Sequence, residues 1–113
     1  MKRGTIVLTP FPFTDLAGTK IRPAIVVSRT DRPGDDVILA FITSVPSSRL
    51  LPTDLSLEPS HPDFRATGLK VRSVIKCDKL ATVQRRILLG ELGALSPPLI
   101  RDLDQRLRHA LKL

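Results

Sequence analysis

The chain has 113 residues, 42% hydrophobic and 26% charged, enough for one core and too few for two. Eighteen Lys and Arg against eleven Asp and Glu leave a net charge of +7, which favours a polyanionic partner: RNA, DNA, an anionic membrane or an acidic protein. No apolar run reaches the ~20 residues of a membrane span, no signal-peptide pattern follows Met1-Lys2-Arg3-Gly4, and no basic amphipathic helix precedes the core, so the membrane is the weakest of the four.

Residues 4–8 read as a first strand, followed by a loop over 9–20 that carries Phe11 and Phe13. Residues 21–28 read as a second. Arg22 stands before Pro23, so its backbone is pushed to extended angles, and Ala24-Ile25-Val26-Val27 is a β-branched run suited to a covered sheet. The Arg22 guanidinium thus lies where a loop meets the scaffold. Its fixed fork of donors suits a phosphate, although solvating a strand end would explain its position equally simply.

A polar turn over 29–35 leads to a third strand, 36–43, whose centre is apolar on both faces and should lie centrally. Thr43 ends it, either bonding nearby backbone or facing a groove. The loop 44–52 carries Ser44, Arg49, Leu50 and Leu51, and 53–57 reads as a weaker edge strand. After an irregular segment with two prolines, 71–78 alternates. Val71, Ser73, Ile75 and Cys77 take one face, and Arg72, Val74, Lys76 and Asp78 take the other. Lys76 and Asp78 are then either a surface ion pair or a cation and a base held at a set separation. Residues 87–89 could add a strand, with Gly90 and Gly93 as punctuation.

The last element is a helix. Ser96 is a good N-cap and Pro97 and Pro98 suit the first turn. Leu99, Ile100, Leu103, Leu107, Ala110 and Leu111 share one face. Asp102 with Arg106, and Asp104 with Arg108, are i,i+4 pairs. The whole, 1–113, is expected to be a single, mostly β domain: a small bent antiparallel barrel with a C-terminal α-helix, or alternatively an open α+β sheet.

The chemistry is narrowed by what the chain lacks. His61, His109 and Cys77 have no metal-ligand spacing, and neither histidine stands where a hydrolytic triad would need it. There is no phosphate-binding glycine loop. With no Trp or Tyr and only four Phe, a base-stacking platform is unsupported. A lone cysteine fits the cytoplasm. Arg22, Thr43, Ser44, Lys76 and Asp78 remain, and RNA offers a reaction needing only such groups. A base takes the 2′-OH proton, the oxygen attacks the adjacent phosphorus, and cations hold the growing charge.

Four segments together resemble the MazF/PemK (Kid) toxins of bacterial type II toxin–antitoxin modules. They are Arg3-Gly4-Thr5-Ile6-Val7-Leu8 with Pro10-Phe11-Pro12-Phe13-Thr14-Asp15, Gly18-Thr19-Lys20-Ile21-Arg22-Pro23-Ala24-Ile25-Val26-Val27-Ser28, Ile38-Leu39-Ala40-Phe41-Ile42-Thr43-Ser44, and Ser73-Val74-Ile75-Lys76-Cys77-Asp78-Lys79-Leu80-Ala81-Thr82. The resemblance implies an SH3-like barrel, a homodimer, and metal-independent, sequence-specific cleavage of single-stranded RNA without a cofactor. It also implies a cognate antitoxin, with DNA bound only through the toxin–antitoxin complex.

By the same resemblance Arg22, Thr43, Asp78 and Lys76 are the catalytic candidates, with Asp78 as base. Lys20, Ser44, Arg49 and Arg72 are the expected RNA contacts. Two departures stand out: Lys76 replaces an arginine assigned as general acid in Kid-like toxins, and residues 14–21 lack a histidine found in some members. The rival readings are a CcdB-like toxin that binds a topoisomerase, and a basic barrel that binds nucleic acid without cutting it.

Overall fold

The alternating apolar segments assemble into one six-stranded antiparallel sheet that curls into a half-barrel and is closed on one face by a helix. The computed structural model describes residues 1–11, 20–44 and 49–113, Phe11 by its backbone alone. The strands are β1 (Thr5–Phe11), β2 (Lys20–Val26), β3 (Asp36–Thr43), β4 (Asp54–Leu57), β5 (Ser73–Gln84) and β6 (Gly90–Ala94), and α1 spans Pro97–Leu111. Short 3₁₀ turns cover Arg65–Thr67 and Arg85–Ile87. Their order across the sheet is β4-β5-β3-β2-β1-β6, with every neighbouring pair antiparallel. The doubly apolar β3 is indeed interior and the short β4 is an edge.

Because side chains alternate, each strand feeds two cores. Ile6, Ile25, Ala40, Ile42, Leu55, Leu57 and Ile75 face the helix and pack with Leu99, Leu103 and Leu107. Val7, Ala24, Val26, Val37, Leu39 and Val83 form a smaller cluster on the other face. The helix stripe is narrower than its spacing suggests, since Leu111 is exposed.

Four local expectations are revised. Ser96 makes no side-chain cap; its hydroxyl instead donates to Asp63 Oδ2 at 2.6 Å, tying the helix start to the irregular segment. Asp102 and Arg106 pair at 3.2 Å, but Asp104 takes Arg3 at 2.8 Å, a partner from the far end of the chain. Ile87 closes a 3₁₀ turn, and the last strand runs through Gly90 and Gly93 instead of stopping there. Gly93 is needed inside that strand because a Cβ there would overlap the Ala66 carbonyl oxygen. The fifth strand extends well past residue 78, to Gln84.

Candidate functional site

The β2–β3 ladder ends where Ala24 pairs with Phe41, and Arg22 and Thr43 each lie two residues beyond that rung on their own strands. Thr43 pairs with Val74 and Phe41 with Lys76, which in turn faces Asp54 on β4. By alternation these residues share the sheet face that carries the Val7–Leu39 cluster. Along that face the strands begin apolar, at Val26, Leu39 and Val37. Towards the other end they carry Thr9, Arg22, Thr43, Lys76 and Asp54, with buried Val74 opposite Thr43.

Arg22 is half-buried, and its side chain has no hydrogen bond or ion pair among the described residues. A fork of donors left open at the end of a rigid strand is poised for an external anion. Lys76 is different. Its ammonium lies 2.8 Å from Asp54 Oδ1, with the lysine side chain 17% exposed and the aspartate 0%. The other Asp54 oxygen accepts the Leu51 N–H at 2.9 Å. Burial alone would raise the Asp54 pKa. The Lys76 and Leu51 hydrogen bonds and the charges of Lys76 and Arg106 outweigh it and hold the carboxyl below its usual range.

Of the two arrangements the sequence left open for Lys76 and Asp78, the ion pair does not form. Phe41 pairs with Lys76 but Ala40 pairs with Leu80, so Cys77, Asp78 and Lys79 bulge out of the β3–β5 ladder. Within that bulge the Cys77 N–H reaches the Thr53 carbonyl at 3.3 Å and Asp78 is exposed. Its carboxylate has no partner among the described residues.

The remaining candidates divide. Lys20 is exposed at the start of β2, and Ser44 and Arg49 are exposed on either side of 45–48. Arg72 is already committed: its Nε lies 2.6 Å from Glu58 Oε1, and with the Ser56 hydroxyl it holds the Glu58 carboxyl below the usual range. Exposed Leu50 and Leu51 flank the same end, whereas Phe13 and the Phe11 side chain lie outside the described residues.

His61 is spent on its own loop, where Nδ1 accepts the Asp63 N–H at 3.0 Å. Burial and the nearby Asp54 charge push the Cys77 thiol up to about 12, which removes it as a nucleophile at neutral pH.

A polar strand end with an open arginine is a common enough arrangement; the chain's ancestry narrows its meaning. Residues 2–111 match the model of the PemK-like, MazF-like toxins of type II toxin–antitoxin systems. The chain belongs to that family. No curated protein matches it significantly by sequence.

Among solved structures, an endoribonuclease from a mycobacterial species is 25% identical, with a TM-score of 0.72 over 100% of this chain and 92% of that one. A mycobacterial endoribonuclease in complex with its cognate antitoxin is 23% identical, with a TM-score of 0.75 over 100% and 96%. A MazE–MazF structure from Deinococcus radiodurans is 19% identical, with a TM-score of 0.74 over 100% and 96%. The PemK/MazF fold is thus matched from end to end. No helix among the described residues is long and apolar enough to cross a membrane.

Proposed function

We propose that this protein is an endoribonuclease toxin that cuts single-stranded RNA, including mRNA, at the polar end of β2, β3 and β5. The observation that carries this reading is the half-buried Arg22 guanidinium at the polar end of β2, without a side-chain partner among the described residues, in a chain of the PemK/MazF family. Asp78 takes the proton of a ribose 2′-OH, and the oxygen attacks the adjacent phosphorus. Arg22 and Lys76 hold the charge that grows on the phosphate oxygens, while the Thr43 hydroxyl donates to one of them. The bond to the 5′-oxygen breaks, that oxygen leaves with a proton, and a 2′,3′-cyclic phosphate remains. Lys20, Ser44 and Arg49 extend the contact to neighbouring nucleotides. Arg72 joins them only by exchanging Glu58 for phosphate.

The family and the +7 charge support a cognate antitoxin whose acidic segment covers Arg22 and Lys76 and so competes with RNA. A homodimer acting in the cytoplasm, and contact with DNA only through the antitoxin, complete the proposal. Cleavage should persist in excess EDTA and yield 2′,3′-cyclic or 3′-phosphate together with 5′-OH ends, read by end-labelling of the fragments. Dependence on Mg²⁺, or 5′-phosphate products, would overturn the mechanism. RNA retained intact would favour a barrel that binds without cutting.

A further inference from the structure

We infer that Asp54 is a positioning residue for RNA cleavage, one that aims the Lys76 ammonium and anchors the end of the adjoining loop to it. The inference rests on the proposed cleavage site at the polar strand end. A carboxylate with a fully buried side chain is costly unless both oxygens are engaged. Asp54 Oδ1 lies 2.8 Å from Lys76 Nζ and Oδ2 accepts the Leu51 N–H at 2.9 Å. The Asp54 N–H in turn donates to the Leu51 carbonyl at 2.9 Å, so the turn that ends the 44–52 segment is locked to β4 from both sides.

Lysine is a flexible four-carbon stem carrying three donors. The ion pair with Asp54 holds the ammonium on the β4 side of β5, at the rung that faces Phe41, and leaves its remaining N–H donors for phosphate oxygens. The rigidity that a lysine stem lacks is supplied by this carboxylate. The charge on Arg106, whose Nη1 donates to the Pro52 carbonyl at 3.0 Å, adds the smallest of the contributions that lower the Asp54 pKa.

The test is a double-mutant cycle on cleavage of one RNA oligonucleotide, with kcat and KM measured separately and normalised to folded protein. A misplacement of about 1 Å costs up to ~10²-fold in rate. Asp54→Asn should therefore lower kcat by roughly 10- to 100-fold with a smaller change in KM. In a Lys76→Met background the same Asp54→Asn change should have no further effect on kcat. Asp54→Glu, which keeps the charge but displaces it by one methylene, should show an intermediate kcat and serves if the asparagine variant fails to fold.

Unchanged kcat in Asp54→Asn, or equal losses with and without Lys76, would overturn the positioning role. Those outcomes leave the cleavage reading intact, provided Arg22→Ala is inactive in the same assay. Absence of cleavage by the unsubstituted protein would instead defeat the cleavage reading itself.

Discussion

Arg22→Ala should cut kcat by roughly 10²- to 10³-fold, a loss of about 2.7–4 kcal/mol of transition-state stabilisation, while the melting temperature stays close to that of the parent. The two effects separate because the guanidinium makes no hydrogen bond or ion pair among the described residues, so the fold loses little when it goes. Its neighbours Ala24 and Val26 hold the strand in place from the apolar side. Arg22→Lys keeps the charge but loses the fork, and should fall between the parent and the alanine variant. Single-turnover cleavage combined with thermal unfolding checks both halves. Near-normal cleavage by folded Arg22→Ala would remove Arg22 from the mechanism.

Lys76→Ala should differ from Arg22→Ala in that stability suffers heavily as well as cleavage. Removing the ammonium leaves the Asp54 carboxylate buried without its charge partner, a change that costs about 3–5 kcal/mol in buried pairs. For a domain of this size that is a fall in melting temperature of roughly 10 °C or more. Adding Asp54→Asn to the variant should recover part of the loss by removing the stranded charge.

The pair also has a pH signature. The folded-state pKa of Asp54 lies below its unfolded value, so the pair contributes fully above about pH 4. As pH falls further the unfolded chain takes up the proton first, and the contribution is lost through the folded pKa. The stability gap between parent and Lys76→Ala should therefore narrow as pH falls, starting where the stranded, buried Asp54 carboxylate of the variant takes up a proton and ending below the folded pKa of the parent. The Arg29–Asp31 pair, with both side chains mostly in solvent, provides the contrast. Breaking it should leave the melting temperature unchanged.

The periodicities of 2.0 and 3.6 carried most of the fold. The placement of β3 in the interior follows from Val37 to Ile42 being apolar on both faces, and α1 from the Leu99, Leu103 and Leu107 stripe. The last strand was hidden because Gly90 and Gly93 look like chain breaks. Only the close approach to Ala66 explains a glycine inside a strand there.

At the site, Arg22 and Thr43 were legible as strand ends, but the partner of Lys76 was not. In the sequence, Lys76 and Asp78 differ by two positions and so would share a face of a regular strand. The bulge at residues 77–79 breaks that period, and the β4–β5 register brings Asp54 to Lys76 from 22 positions upstream. The only local trace was an acid alternating with Leu55 and Leu57 in an edge strand. Pairing register is long-range, and spacing within one strand does not encode it.

The most direct measurement uses an oligoribonucleotide that the protein cuts at one bond, and the same oligonucleotide with a single 2′-deoxy sugar on the 5′ side of that bond. Attack by the 2′-oxygen requires the hydroxyl that the second molecule lacks. The all-ribose strand should be cleaved in EDTA to a 2′,3′-cyclic phosphate, and the mono-deoxy strand should bind with similar affinity and remain whole at that position. Cleavage of the mono-deoxy strand at a comparable rate would contradict in-line attack by the ribose and, with it, the catalytic roles of Arg22, Thr43 and Asp78.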